Sequence, residues 1–195
     1  MMRRNSIFSA GLFVFYLLGT TSCIPEFDID IINNKEEKIT CKLDGADFAA
    51  DNNESMLDLV KGELIEKEQY FLLTVYGAEL QDNGGAKAVG FKIGGSSIEE
   101  LQAGNVYDSW EELESSPGNF VGAMGAVEER PSVQSDESIY KAGSNHTKEI
   151  TLEITAVDHE AQTFSGIFSF EALDDEKGLR ISVTEGKFED VKWKK

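Results

Sequence analysis

The 195-residue chain is short of several things, and each shortage removes a class of explanation. Two cysteines cannot make the disulfide framework of a small secreted scaffold. Two histidines, His146 and His159, with no Cys–His spacing around them, leave no ligand set of the kind that holds zinc. Three prolines beside 41% hydrophobic and 10% aromatic residues are not the composition of a disordered acidic tail. Basic residues number 18 against 36 acidic, for a formal net charge of −18. So few cations argue against nucleic acid as a partner, because non-specific binding depends on Lys and Arg neutralising phosphates. No apolar run reaches the roughly 20 residues of a membrane-spanning helix. What is there is a chain long enough to bury a core of ordinary domain size.

The first 22 residues read as an address. Arg3 and Arg4 open a basic start, Ile7 to Leu18 is the apolar stretch, and Gly19-Thr20-Thr21-Ser22 leads to Cys23. That is the three-part layout of a secretory signal. Thr20-Thr21-Ser22-Cys23 resembles the lipobox of bacterial lipoproteins, with Thr20 standing where Leu is commonest; an uncleaved anchor or a plain secretory signal is the alternative. Cleavage before Cys23 would leave it as the lipidated N-terminus and would remove Arg3 and Arg4 but no acid, so the mature chain is more acidic still. Acyl chains contribute about 0.8 kcal/mol per buried CH₂, so the expected membrane attachment is hydrophobic and not electrostatic. Residues 23–37 then form an acidic tether, with Glu26, Asp28 and Asp30 among Phe27 and Ile29. Acids in those positions resemble the export signal of surface-displayed Bacteroidota lipoproteins; a solvated spacer is the alternative.

From Lys38 to the end, residues 38–195, the pattern predicts a single all-β domain: an antiparallel β-sandwich or barrel of about 9–10 strands. Short runs of β-branched and aromatic residues are punctuated by Gly, Asn and Asp, and long helical periodicity is absent. Lys38 to Leu43 and Ala46 to Ala50 flank Asp44-Gly45 as the arms of a hairpin. Tyr70 to Tyr76 is apolar on both faces, as a covered central strand is. Ala86 to Ile93, Asn119 to Glu128, Thr147 to Val157, Thr163 to Ala172, Gly178 to Thr184 and Gly186 to Trp193 supply further strands. Ile98 to Gly118 fits a helical turn or loop better than a strand, and Glu129 to Asn145 reads as a polar loop.

The motifs at the two ends of this domain, Leu43-Asp44-Gly45-Ala46-Asp47-Phe48, then Ser165-Gly166-Ile167-Phe168-Ser169-Phe170 and Thr184-Glu185-Gly186-Lys187-Phe188, resemble those of small Bacteroidota lipoproteins classed as a domain of unknown function. The resemblance implies a β-rich fold and a cell-envelope location, and offers no catalytic residues to carry over.

The search for chemistry returns mostly structural readings. His146 and His159 sit in polar loops, and Cys41 shares a face with Ile39 and Leu43, as a buried small hydrophobe does. No nucleophile elbow, metalloprotease motif or phosphate-cradling loop is present, so no catalytic residue, cofactor or metal ligand is nominated. Asp51 to Glu54, Asp82 to Gly84 and Asp174 to Glu176 are oxygen-rich loops of the kind calcium uses, but they lack EF-hand spacing and read first as solvated turns. Tyr107 and Trp110 lie in the irregular middle segment, where rings can stack on a sugar or fill a partner's pocket; plugging the end of a sandwich is the alternative.

The expectation is therefore a lipid-anchored protein of the bacterial outer membrane that binds an envelope protein or polysaccharide and is not an enzyme. A lipocalin-like carrier of a small apolar ligand, with a cavity lined by Phe91, Phe168 and Phe170, is the alternative. A carboxylate-dependent hydrolase is the third, since two acids can be supplied from anywhere in the fold.

Overall fold

The computed structural model describes residues 37–52, 57–67, 69–113 and 119–195. They form twelve strands in chain order: β1 (Lys38–Leu43), β2 (Ala46–Asp51), β3 (Val60–Lys67), β4 (Tyr70–Leu80), β5 (Ala86–Gly95), β6 (Val106–Tyr107), β7 (Trp110–Glu112), β8 (Phe120–Arg130), β9 (Tyr140–Gly143), β10 (Ile150–Asp158), β11 (Thr163–Asp174) and β12 (Leu179–Lys194). The all-β class is as the sequence pattern implies. Two short 3₁₀ turns, Ile98–Glu100 and Ser144–His146, are the helical elements among the described residues.

The pairing closes on itself. From β12 the ladder runs through β3, β4, β5, β8, β9 and β11, and β11 pairs again with β12. β12 makes this possible because it is long: β11 lies along one edge, while β1 and then β3 share the other. All the pairings are antiparallel except β3 with β12, which is parallel and joins only Gly62 to Trp193 and Glu63 to Lys194. The result is a barrel with one parallel seam. The β1–β2 hairpin extends from β12, and its turn has positive φ at both Asp44 and Gly45, as a two-residue Asp-Gly hairpin needs.

Strand alternation sends one face of every long strand inward. Ile39, Cys41 and Leu43 of β1, Leu73 and Val75 of β4, Phe91 and Ile93 of β5, and Ile181 and Val183 of β12 are all buried in one cluster. Phe91 bridges the barrel, with its ring centroid 5.5 Å from Phe168 and 4.9 Å from Phe188 on the far side. Phe188 also lies 5.0 Å from Phe164, so aromatic rings fill the space between the walls. Ile98 and Leu101 of the 3₁₀ segment are buried against this core. The segment read as irregular, Ile98 to Gly118, thus combines a 3₁₀ turn with two very short strands, β6 pairing with β10 and β7 with β8.

Candidate functional site

On the outer face, one row of the sheet crosses five strands in register: Ile65, Leu72, Gly94, Gly122 and Trp110. The two glycines in the middle create a saddle. A Cβ on Gly94 would collide with the Phe120 carbonyl, and one on Gly122 with the Ser109 carbonyl. Gly122 also has φ +112°, a backbone that side-chain-bearing residues resist, so β8 kinks there and lays Phe120 over the sheet. Phe120 and Met124 form a second, outer apolar cluster with Leu72 and Trp110, separate from the barrel core. The Trp110 ring meets Phe120 edge-on at 6.3 Å. Its indole N–H is buried with no acceptor, a cost of about 1–3 kcal/mol. Ile65, the cross-strand neighbour of Leu72, is 51% exposed and continues the apolar strip into solvent.

The two aromatic candidates therefore part company. Trp110 belongs to the outer strip, whereas Tyr107 pairs with Leu152 and packs half-buried against the barrel core, where burial and then Glu100 push its phenol above the ordinary range. Cys23 lies outside the described residues. Phe91, Phe168 and Phe170, the rings expected to line a carrier's cavity, are buried, with Phe168 packed between the other two at 5.5 and 6.1 Å.

The polar residues weighed for chemistry hold turns and strand ends. His159 donates from Nε2 to the Leu101 carbonyl at 2.9 Å and meets Trp193 edge-on, and His146 sits 3.8 Å from Asp175. Cys41 is buried, and its thiol is pushed up to about 12, by burial first and Glu79 second. Of the oxygen-rich loops, Asn83 accepts from the Gly85 amide, and Asp174 accepts from the Lys177 and Lys141 amides. Among the described residues no three His, Cys, Asp or Glu side chains cluster as a metal site would require. Two groups with buried acids stand out: Glu128, bonded to Arg130 at 2.7 Å and to Ser138, and the pair Glu37 and Asp58, which share Asn52. Sequence reasoning missed the last group, because its members come from separate strand ends. At 3% and 2% exposure, Glu37 and Asp58 offer no reachable pair for hydrolysis.

A shallow groove of about 370 Å³ lies on the outer face of β10 to β12, lined by Thr151, Ile167, Ser169, Glu185 and Lys187. Glu185 is held there by Lys42 at 3.1 Å. Compared with family models, with curated proteins and with solved structures, the chain matches none.

Proposed function

We propose that this protein is a lipid-anchored component of the bacterial cell envelope, resembling small Bacteroidota lipoproteins, that works by binding an envelope protein or polysaccharide. Cys23 carries the acyl anchor at the outer membrane, the acidic segment behind it spaces the barrel from the lipid, and the barrel presents the binding face. The observation that carries the binding role is the apolar strip from Ile65 through Leu72 to Trp110, with Phe120 and Met124 packed against Leu72 and Trp110. An apolar strip on an outer sheet face, flanked on that face by Glu63 and Lys92, is the chemistry of an interaction surface. The partly exposed Trp110 ring at one end and Ile65 at the other can accept the face of a sugar ring or the side chains of a protein partner.

Two measurements test the reading separately. Labelled palmitate is expected on the wild-type chain and not on Cys23→Ala; label retained by the variant would contradict the anchor. Cross-linking on intact cells is expected to capture a partner with the wild type that Ile65→Glu loses. Identical capture by that variant would contradict the strip.

A further inference from the structure

The parallel seam between β3 and β12 closes the barrel through two backbone pairs, Gly62 with Trp193 and Glu63 with Lys194. It is also tight: a Cβ on Gly62 would stand 2.7 Å from the Lys192 carbonyl, so only glycine lets β12 approach. Next to this seam, four chain segments meet in one buried polar cluster. Asn52, at the end of β2, donates through Nδ2 to Glu37 Oε2 and to Asp58 Oδ1, each at 2.8 Å. Its Oδ1 accepts from the Leu59 and Val60 amides, at 2.6 and 2.9 Å, which fixes the orientation of the amide. Glu37, just before β1, accepts from the Lys192 amide of β12 at 2.9 Å.

The donors do not suffice for the acceptors. Two hydrogens on Asn52 Nδ2 and one on the Lys192 amide face four carboxylate oxygens and the Val60 carbonyl, itself 3.2 Å from Nδ2. Asp58 Oδ2 is buried and accepts nothing; its nearest cation is the half-exposed Lys194 ammonium, 3.9 Å away. Among the described residues at this end, Lys38 of β1 and Asp51 of β2 pair with each other at 3.1 Å. The position ringed by Glu37, Asp58 and Val60 oxygens is occupied by the Asn52 nitrogen itself, so no metal ion fits there. A proton does.

We infer that the Glu37–Asn52–Asp58 cluster is a proton-dependent latch on the β3–β12 seam: with Glu37 protonated the barrel is held closed at this edge, and without that proton the seam loosens. Burial, reinforced by Asp58, raises Glu37 from 4.5 to about 7, against the lowering by its bonds to Lys192 and Asn52. Opening the seam hydrates Glu37 and returns it to the ordinary carboxylate range. The closed state therefore binds the proton more tightly, and opening grows as pH rises from about 4.5 to about 7, by as much as about tenfold per pH unit, then levels off.

Amide hydrogen exchange read residue by residue, corrected for the intrinsic pH dependence of exchange, tests this directly. Protection at Leu59, Val60 and Lys192 is expected to fall between pH 4.5 and 7 in the wild type, while Leu73 and Val89 in the middle of the barrel keep theirs. Glu37→Gln removes the titrating group, so in that variant the fall is expected to vanish whatever the absolute protection; Asp58→Asn removes only the charge that reinforces burial and is expected to shrink the fall. Glu189→Gln, at an exposed acid paired with Lys187, is expected to retain it. Constant protection at the seam across this range in the wild type, or an unchanged slope in both cluster variants, would overturn the latch.

Discussion

Gly122 illustrates how much of the outer surface depends on one residue. Its φ of +112° and the Ser109 carbonyl against it leave no place for a side chain, and that is what lets Trp110 and Phe120 close over the sheet. Gly122→Ala is expected to destabilise by more than about 1 kcal/mol, since alanine resists positive φ, and to lower Tm by at least roughly 2–4 °C. An unchanged melting curve would mean that the kink relaxes without cost. At the same scale, Glu37 runs opposite to the usual surface carboxylate. Its pKa is raised by burial, so the stability it contributes is whole below about 4.5 and lost as pH rises through about 7. Nothing local in the sequence announces it: Glu37, Asn52 and Asp58 are separated along the chain, and only strand pairing brings their carboxyl and amide groups together.

The strands divide into those the sequence pattern reveals and those it hides. The β1–β2 hairpin was legible because Asp44-Gly45 separates two runs of suitable length, and β4 because it is apolar on both faces. β3 was hidden: its inward residues are Val60, Gly62 and Leu64, and the glycine required by the β12 contact interrupts the hydrophobic alternation. β9 is only four residues long and sits inside a polar segment, Glu129 to Asn145, that otherwise reads as a loop. β12 looked like two strands because Glu185 and Gly186 break its pattern; Glu185 has φ +53° and the ladder slips there against β1 and β11, so one strand bends without ending. The parallel pairing of β3 with β12 leaves no mark in either strand, which is why an antiparallel fold was the natural expectation. β12 is nonetheless the organising element, with β11 on one side, β1 and β3 on the other, and Phe188 touching Phe91, Phe164 and Phe168 across the core. Phe188→Ala is expected to cost about 3–5 kcal/mol in denaturant unfolding, as for other buried large-to-small changes. A loss under about 1 kcal/mol would contradict a core centred on that ring.

At the level of the whole molecule, the acidic excess and the apolar strip have different jobs. With 36 acids against 18 bases, the surface repels polyanions and stays soluble, so charge excludes partners better than it selects one. In the proposed binding role selection falls to the strip, whose members come from β3, β4, β7 and β8 and meet only after the barrel closes. Trp110 was visible in the sequence as a ring in an irregular segment, but its companions were not, since Leu72 reads as an ordinary strand residue and Ile65 lies in β3, which the pattern hides. Tyr107, three residues before Trp110, packs against the core instead. The most direct measurement of the account is oxidative footprinting of the protein on intact cells against the purified chain. Ile65 and Trp110 are predicted to be oxidised less on cells, while Leu179 and Val133, exposed at 42% and 38% outside the strip, are oxidised equally in both. Equal oxidation of Ile65 and Trp110 in the two preparations would contradict a binding face at this surface.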